Sequence, residues 1–163
     1  MKVIERLEAR IDDGEQYSRR MCLRINGVPI PSGNDKEDCV EKVQELIKET
    51  GVDVPKDSID RAHRIGRVSD EGKQQIIVRF KSFRERTLVY RRRKNCKKAA
   101  MFLDLTKRRL ELLFWAKEVI KNKPEIEFAF ADINCNIGAK MKSGNFFLIS
   151  NEQDFYEKAT KAT

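Results

Sequence analysis

Gln75-Ile76-Ile77-Val78-Arg79-Phe80, followed at once by Ser82 and Glu85, is the stretch on which the reading of this chain turns. Ile76 to Phe80 has the β-branched and aromatic content of a short, buried strand. Ser82 with Glu85 three residues on has the spacing of a capping box, so a helix opens directly behind the strand. That helix carries Leu88 and Val89 inward and ends in Arg91-Arg92-Arg93-Lys94. Ala99 to Leu103 then follows as another strand.

The same reasoning runs toward the N-terminus. Ser58 to Ile65 is a basic strand, separated from the first by a polar loop at Val68–Gln74. A helix over about Asp35–Thr50 presents Val40, Val43, Leu46 and Ile47 as an apolar stripe, and Gly51 sits at its C-cap. Cys22 to Val28 is a strand stopped by Pro29 and Pro31. The order strand, helix, strand, strand, helix, strand is the split βαβ arrangement, with four antiparallel strands backed by two helices. Before it, residues 1–20 are helical. Ile4, Leu7 and Ile11 form an a/d seam for oligomerisation, with Gly14 weakening the helix, and read as the tail of a longer coiled coil.

After Asp104 the pattern changes. Thr106 caps a helix to about Asn122 whose inner face is Leu110, Leu113, Phe114 and Ile120, closed by Pro124. Ile126–Phe130 is a strand. Ile137–Met141 and Asn145–Ile149 make a hairpin about Ser143-Gly144, and Ser150 with Gln153 forms a second capping box before a last helix through Phe155 and Tyr156. Trp115 and the nine phenylalanines are assigned to the core. The expected class is therefore α+β. Residues 1–20 are the coiled-coil end and junction, 21–104 the βαββαβ domain, and 105–163 a small α+β domain.

Charge points to the partner. Seventeen Lys/Arg stand against four acids between Arg61 and Arg109, a balance of +13, while the whole chain carries +8. Like charge in such a block repels unless a polyanion neutralises it. The candidate phosphate ligands are Arg19 and Arg20, Arg61, Arg64, Arg67, Lys73, Arg79, Arg108 and Arg109, with Tyr17 as the aromatic placed for base contact. This reading requires folding to gather these cations on one surface rather than to pair them with carboxylates. The stacking positions of an RNA-recognition motif on the third strand are Gln75 and Ile77, and Leu23-Arg24-Ile25-Asn26 offers no aromatic, so charge rather than stacking is expected to supply affinity.

Other classes find little footing. Cys22, Cys39, Cys96 and Cys135 lie far apart without a Cys-x-x-Cys pair, so reduced thiols and no metal are expected. His63 is a surface imidazole with no catalytic partner nearby, no nucleotide-binding or hydrolase motif occurs, and a nuclease would lack its carboxylate cluster, Asp104 standing alone. The expectation is a non-enzymatic protein without cofactor, and no run of about 18 apolar residues offers a membrane span.

Several motifs in one order carry a resemblance. Glu15-Gln16-Tyr17-Ser18-Arg19-Arg20, Leu23-Arg24-Ile25-Asn26-Gly27-Val28-Pro29, Ile59-Asp60-Arg61-Ala62-His63-Arg64-Ile65-Gly66, Ile76-Ile77-Val78-Arg79-Phe80 and Asp104-Leu105-Thr106 before Arg108-Arg109 are together similar to LINE-class non-LTR retrotransposon first-open-reading-frame proteins. The likeness runs from about residue 15 to the C-terminus, and Phe128–Ile149 also resembles baculovirus FP-type proteins. It implies a coiled coil, a non-standard ferredoxin-like RNA-recognition motif and a C-terminal domain. It further implies homo-oligomers, trimers in the full-length protein, that coat single-stranded RNA, and also bind single-stranded DNA, in a cleft between the globular domains. The implied role is a nucleic-acid chaperone in cytoplasmic, and also nuclear, ribonucleoprotein particles. The competing reading is a protein-interaction or assembly module of a viral FP-like or domesticated protein, for which nucleic-acid binding is incidental.

Overall fold

Alternation decides the central sheet. In Gln75–Phe80 every second residue (Ile76, Val78, Phe80) is buried, and in Cys22–Asn26 Leu23 and Ile25 are buried while Arg24 and Asn26 are only partly so. A period of two sends these buried sets to one face and Arg24, Asn26, Gln75, Ile77 and Arg79 to the other. The computed structural model describes residues 2–33 and 35–162. Its elements are α1 (Lys2–Arg19), β1 (Cys22–Asn26), α2 (Cys39–Glu49), β2 (Ile59–Ile65), β3 (Gln75–Phe80), α3 (Phe83–Arg91), β4 (Ala100–Leu103), α4 (Lys107–Val119), β5 (Ile126–Ala131), β6 (Ile137–Met141), β7 (Phe146–Ile149) and α5 (Glu152–Ala162). The protein is thus mixed α+β with a helix at each end.

The chain divides into two units, Arg19–Asp104 and the residues through Ser18 together with those from Leu105 on. Helix α1 through Ser18 thus falls in the same unit as the C-terminal elements. In the first unit four strands form an antiparallel sheet of order β2-β3-β1-β4. Helix α2 packs on β2 and β3, and α3 on β1, β3 and β4. Between helices and sheet lie Leu23, Ile25, Val43, Leu46, Ile47, Ile76, Val78, Phe80, Val89, Met101 and Leu103, all buried. Asp38 caps α2 by accepting from the N–H groups of Val40 and Glu41, and Gly51 adopts φ +82°, the left-handed conformation a helix-terminating glycine supplies without strain.

In the second unit β5, β6 and β7 form an antiparallel sheet covered by α4 and α5. Leu113, Ala116, Ala139, Ile137, Met141, Ile149 and Phe155 make its core, and Trp115 meets the Phe155 ring edge-on at 5.3 Å. Burying a ring as completely as that of Phe155 stabilises by about 2 kcal/mol. Among the described residues no helix is long and apolar enough to cross a membrane.

Several local expectations are corrected. Ser82 is the N-cap of α3 but its hydroxyl makes no capping bond. At α5 the cap is Asn151, whose Oδ1 accepts from the Asp154 N–H at 2.7 Å while Asp154 accepts from Ser150, so the box is shifted by one residue from Ser150–Gln153. Leu88, Leu110 and Phe114 are exposed, because α3 and α4 turn Val89, Leu113 and Ala116 to their sheets instead. The phenylalanines do not all enter the core: Phe102, Phe114, Phe128 and Phe146 are exposed.

Candidate nucleic-acid interface

The open face of the four-stranded sheet is set by register. Opposite one another stand Phe102, Arg24, Ile77 and His63, one from each strand. The neighbouring row toward the start of β1 holds Cys22, Arg79 and Arg61. Like charges directly opposed on a sheet are unfavourable, so the Arg79–Arg61 pair is a place where an anion would relieve repulsion. Asp60, the extra residue of a β-bulge between Ile59 and Arg61, reaches Arg79 at only 3.6 Å, with both side chains well exposed. Exposed Arg61 has no carboxylate partner among the described residues. Burial pushes the Cys22 thiol above its ordinary value, Asp104 adds to this, and Arg79, Arg61 and Arg19 oppose it.

Asp104 organises the centre of this face. It is buried, and it accepts from Arg24 Nε at 2.7 Å and Arg19 Nη1 at 3.3 Å. The other end of the Arg24 guanidinium donates to Gln75 Oε1 at 2.9 Å, and the Gln75 amide in turn bonds Asn26. Arg24 was not among the candidates from sequence, although its place out of phase with Leu23 and Ile25 marks it as facing away from the core. Phe102, expected in the core, instead lies on the open face between buried Met101 and Leu103, which the continuous apolar run Ala100–Leu103 does not reveal.

Arg64 is used differently. The register turns it to the helix side of β2, between open-face residues His63 and Ile65. It forks onto Glu37 (Nε–Oε2 2.9 Å, Nη2–Oε1 2.5 Å) and donates to the carbonyls of Val28, Pro29 and Gln74 at 2.7–2.8 Å. These bonds tie the segment after β1 to the β2–β3 pair. Arg86, one of the seventeen cations of the basic window, is fully buried, with its guanidinium 4.8 Å from the Phe83 ring centroid. The charge available to a ligand is therefore smaller than the sequence count.

Arg64 also holds the Glu37 carboxyl below its ordinary value of 4.5, chiefly through the side-chain hydrogen bond, against an opposing effect of burial. A depressed folded-state value means that the pair stabilises fully above about pH 4.5 and loses that contribution as pH falls through the folded value. Urea midpoints measured at pH 6 and pH 3 should accordingly differ less in Glu37→Gln than in the wild type.

The remaining candidates sort as follows. Arg67 is exposed in the β2–β3 connection, where Lys73 stands 3.6 Å from Glu71 in a solvated pair. Arg20 is half-buried in the turn from α1 to β1, and Tyr17 is exposed on α1. In the other unit, Thr106 caps α4 by accepting from the Arg109 N–H at 3.3 Å. The Arg109 side chain is committed to Asp12 (2.9 Å), Asp13 (2.8 Å) and the Cys135 carbonyl (3.0 Å). Arg108 is half-buried, with an enclosed Nη1 that makes no hydrogen bond. Arg19, Arg64, Lys73, Arg79 and Arg109, among the proposed phosphate ligands, thus have carboxylate partners, those of Lys73 and Arg79 being loose and solvent-exposed.

The seam of α1 is largely open to solvent. Asp12 and Gln16 are buried against the start of α4, while Ile4, Leu7 and Ile11 are exposed. At 100° per residue the two stripes are separated by roughly 120° around the helix. All four cysteines are free thiols, and among the described residues no group of three or more His, Cys, Asp or Glu is placed to hold a metal. No protein-family model and no curated protein matches the chain.

Proposed function

We propose that this protein is a sequence-tolerant binder of single-stranded RNA or DNA. In this reading it is a nucleic-acid chaperone that coats a retrotransposon transcript, and its Arg19–Asp104 unit is a ferredoxin-like, non-standard RNA-recognition motif. One observation carries the reading: Arg61 and Arg79 are opposed on the open sheet face, and neither is locked into a buried ion pair. Arg67 and Lys73 extend the cationic edge through the β2–β3 connection. Arg64 and Arg109 drop out as phosphate ligands in this version of the site, because their donors are consumed internally. Strand exchange needs no nucleotide hydrolysis, since a polycation that lowers phosphate repulsion speeds both annealing and melting.

Fluorescence anisotropy with a ~30-nucleotide RNA, titrated in salt, tests this. Four contacts from Arg61, Arg67, Lys73 and Arg79 give a log–log slope of about −3, at about −0.7 per single-strand phosphate. A flat dependence, or no binding at physiological salt, rejects the proposal.

The second reading, an assembly module, is favoured by two other surfaces. One is the Ile4/Leu7/Ile11 seam, which suits a homo-oligomeric coil. The other is the outer face of the three-stranded sheet, where Phe128, Lys140 and Phe146 lie in one row and Phe130, Gly138 and Leu148 in the next. Arg61→Glu combined with Arg79→Glu separates the two: nucleic-acid binding is lost under the first reading, and self-association persists under the second.

A further inference from the structure

We infer that the open sheet face takes unpaired nucleobases as well as phosphates, with Phe102 stacking one base and the Arg24 guanidinium the next. The inference rests on the nucleic-acid reading and adds the chemistry by which that site holds its ligand. Phe102 lies on β4, and the residue is 50% exposed on a face lined with cations. An apolar ring left in water gains free energy from any flat, weakly hydrated partner.

Its direct cross-strand neighbour is Arg24, and opposed side chains start about 5 Å apart at Cβ. Asp104 and Gln75 hold the two ends of that guanidinium by hydrogen bonds. Such bonds lie in the guanidinium plane and leave its faces for stacking, a surface on which bases are commonly laid. Arg24 remains one-third exposed despite these bonds. Ile77 and His63 continue the row across the sheet, and Arg79 and Arg61 occupy the row beside it. A strand lying along the first row therefore has cations beside it for its phosphates.

This occupant fits better than a second protein surface. An apolar protein patch would bury the guanidinium groups of Arg61 and Arg79 without supplying anions, whereas a single strand supplies a flat π-face and a negative charge per residue.

The test uses the whole chain with two fluorescein-labelled probes of equal length, a ~30-nucleotide RNA and an abasic sugar-phosphate strand. Phe102→Ala should weaken RNA binding by roughly tenfold, within the range of single base-stacking contacts, without changing the salt slope or the affinity for the abasic strand. Phe102→Trp should restore RNA affinity, and because the ring is half in water both variants should keep the wild-type urea midpoint. Unchanged RNA affinity in Phe102→Ala overturns the inference, as does an equal loss for both probes. A change in sedimentation without a change in RNA binding overturns it in favour of a contact between copies. A stacking failure of either kind leaves wild-type phosphate binding intact, whereas a wild-type protein that binds neither probe rejects the function reading itself.

Discussion

Arg64→Ala is expected to destabilise the Arg19–Asp104 unit by about 3 kcal/mol, the low end of the cost of breaking a largely enclosed ion pair. The side chains of Arg64 and Glu37 are only 13% and 17% exposed, so truncation strands a carboxylate with limited access to water. It also removes the donors from three carbonyls, those of Val28, Pro29 and Gln74, which join the chain after β1 to the β2–β3 pair. Lysine cannot reproduce the fork, having a compact ammonium in place of a planar set of donors, so Arg64→Lys should recover only part of the loss. Arg61→Ala, three residues earlier on the same strand, should change stability by less than about 0.5 kcal/mol, as exposed positions do. It should instead lower the magnitude of the salt slope by about 0.7, one phosphate contact. Urea unfolding followed by circular dichroism, with anisotropy on the same samples, checks both. Equal stability of the two variants would show that Arg64 is not the tie between these segments.

The contrast also shows what the sequence reveals and what it hides. Strand and helix order was legible because Ile76–Phe80 is a short run rich in β-branched and aromatic residues, and because Pro29, Gly51 and Pro124 mark stops by backbone chemistry. Thr106 was legible as a cap for the same local reason. The uses of individual arginines were not. Arg61 and Arg64 differ by three residues on a strand, an odd step that places them on opposite faces, and only the register with β3 says which face is open. Glu37 is 27 residues from Arg64, and nothing in the local pattern announces that pair. Phe102 is a further case. Met101, Phe102 and Leu103 are all apolar, so the sequence does not say which of them faces away from the core, and only the register with β1 does. The exposed Phe128 and Phe146 repeat that lesson on the second sheet.

The other large effect is expected in the second unit, from Asp12→Ala. Asp12 is buried and accepts from the Thr106 hydroxyl at 2.5 Å and from Arg109 Nε at 2.9 Å, while Gln16, one turn further along α1, accepts the Thr106 N–H at 2.9 Å. The Gln16 bond satisfies the N–H of the cap residue Thr106, and the three together fasten α1 to the start of α4. Removing the carboxylate leaves the enclosed Arg109 guanidinium with exposed Asp13 and one carbonyl, a loss of about 2–3 kcal/mol after allowing for the surviving partner. Hydrogen exchange of the α4 amides reads it locally, with faster exchange expected in Asp12→Ala than in the wild type. Asp12→Asn separates structure from binding. It weakens the hold on Arg109 while an amide oxygen still receives the Thr106 hydroxyl. If Arg109 serves α4 and not the ligand, exchange quickens and the salt slope on RNA changes by much less than the ~0.7 of one phosphate. A slope steeper by that amount would return Arg109 to the binding surface, with Asp12 as the group that had withheld it.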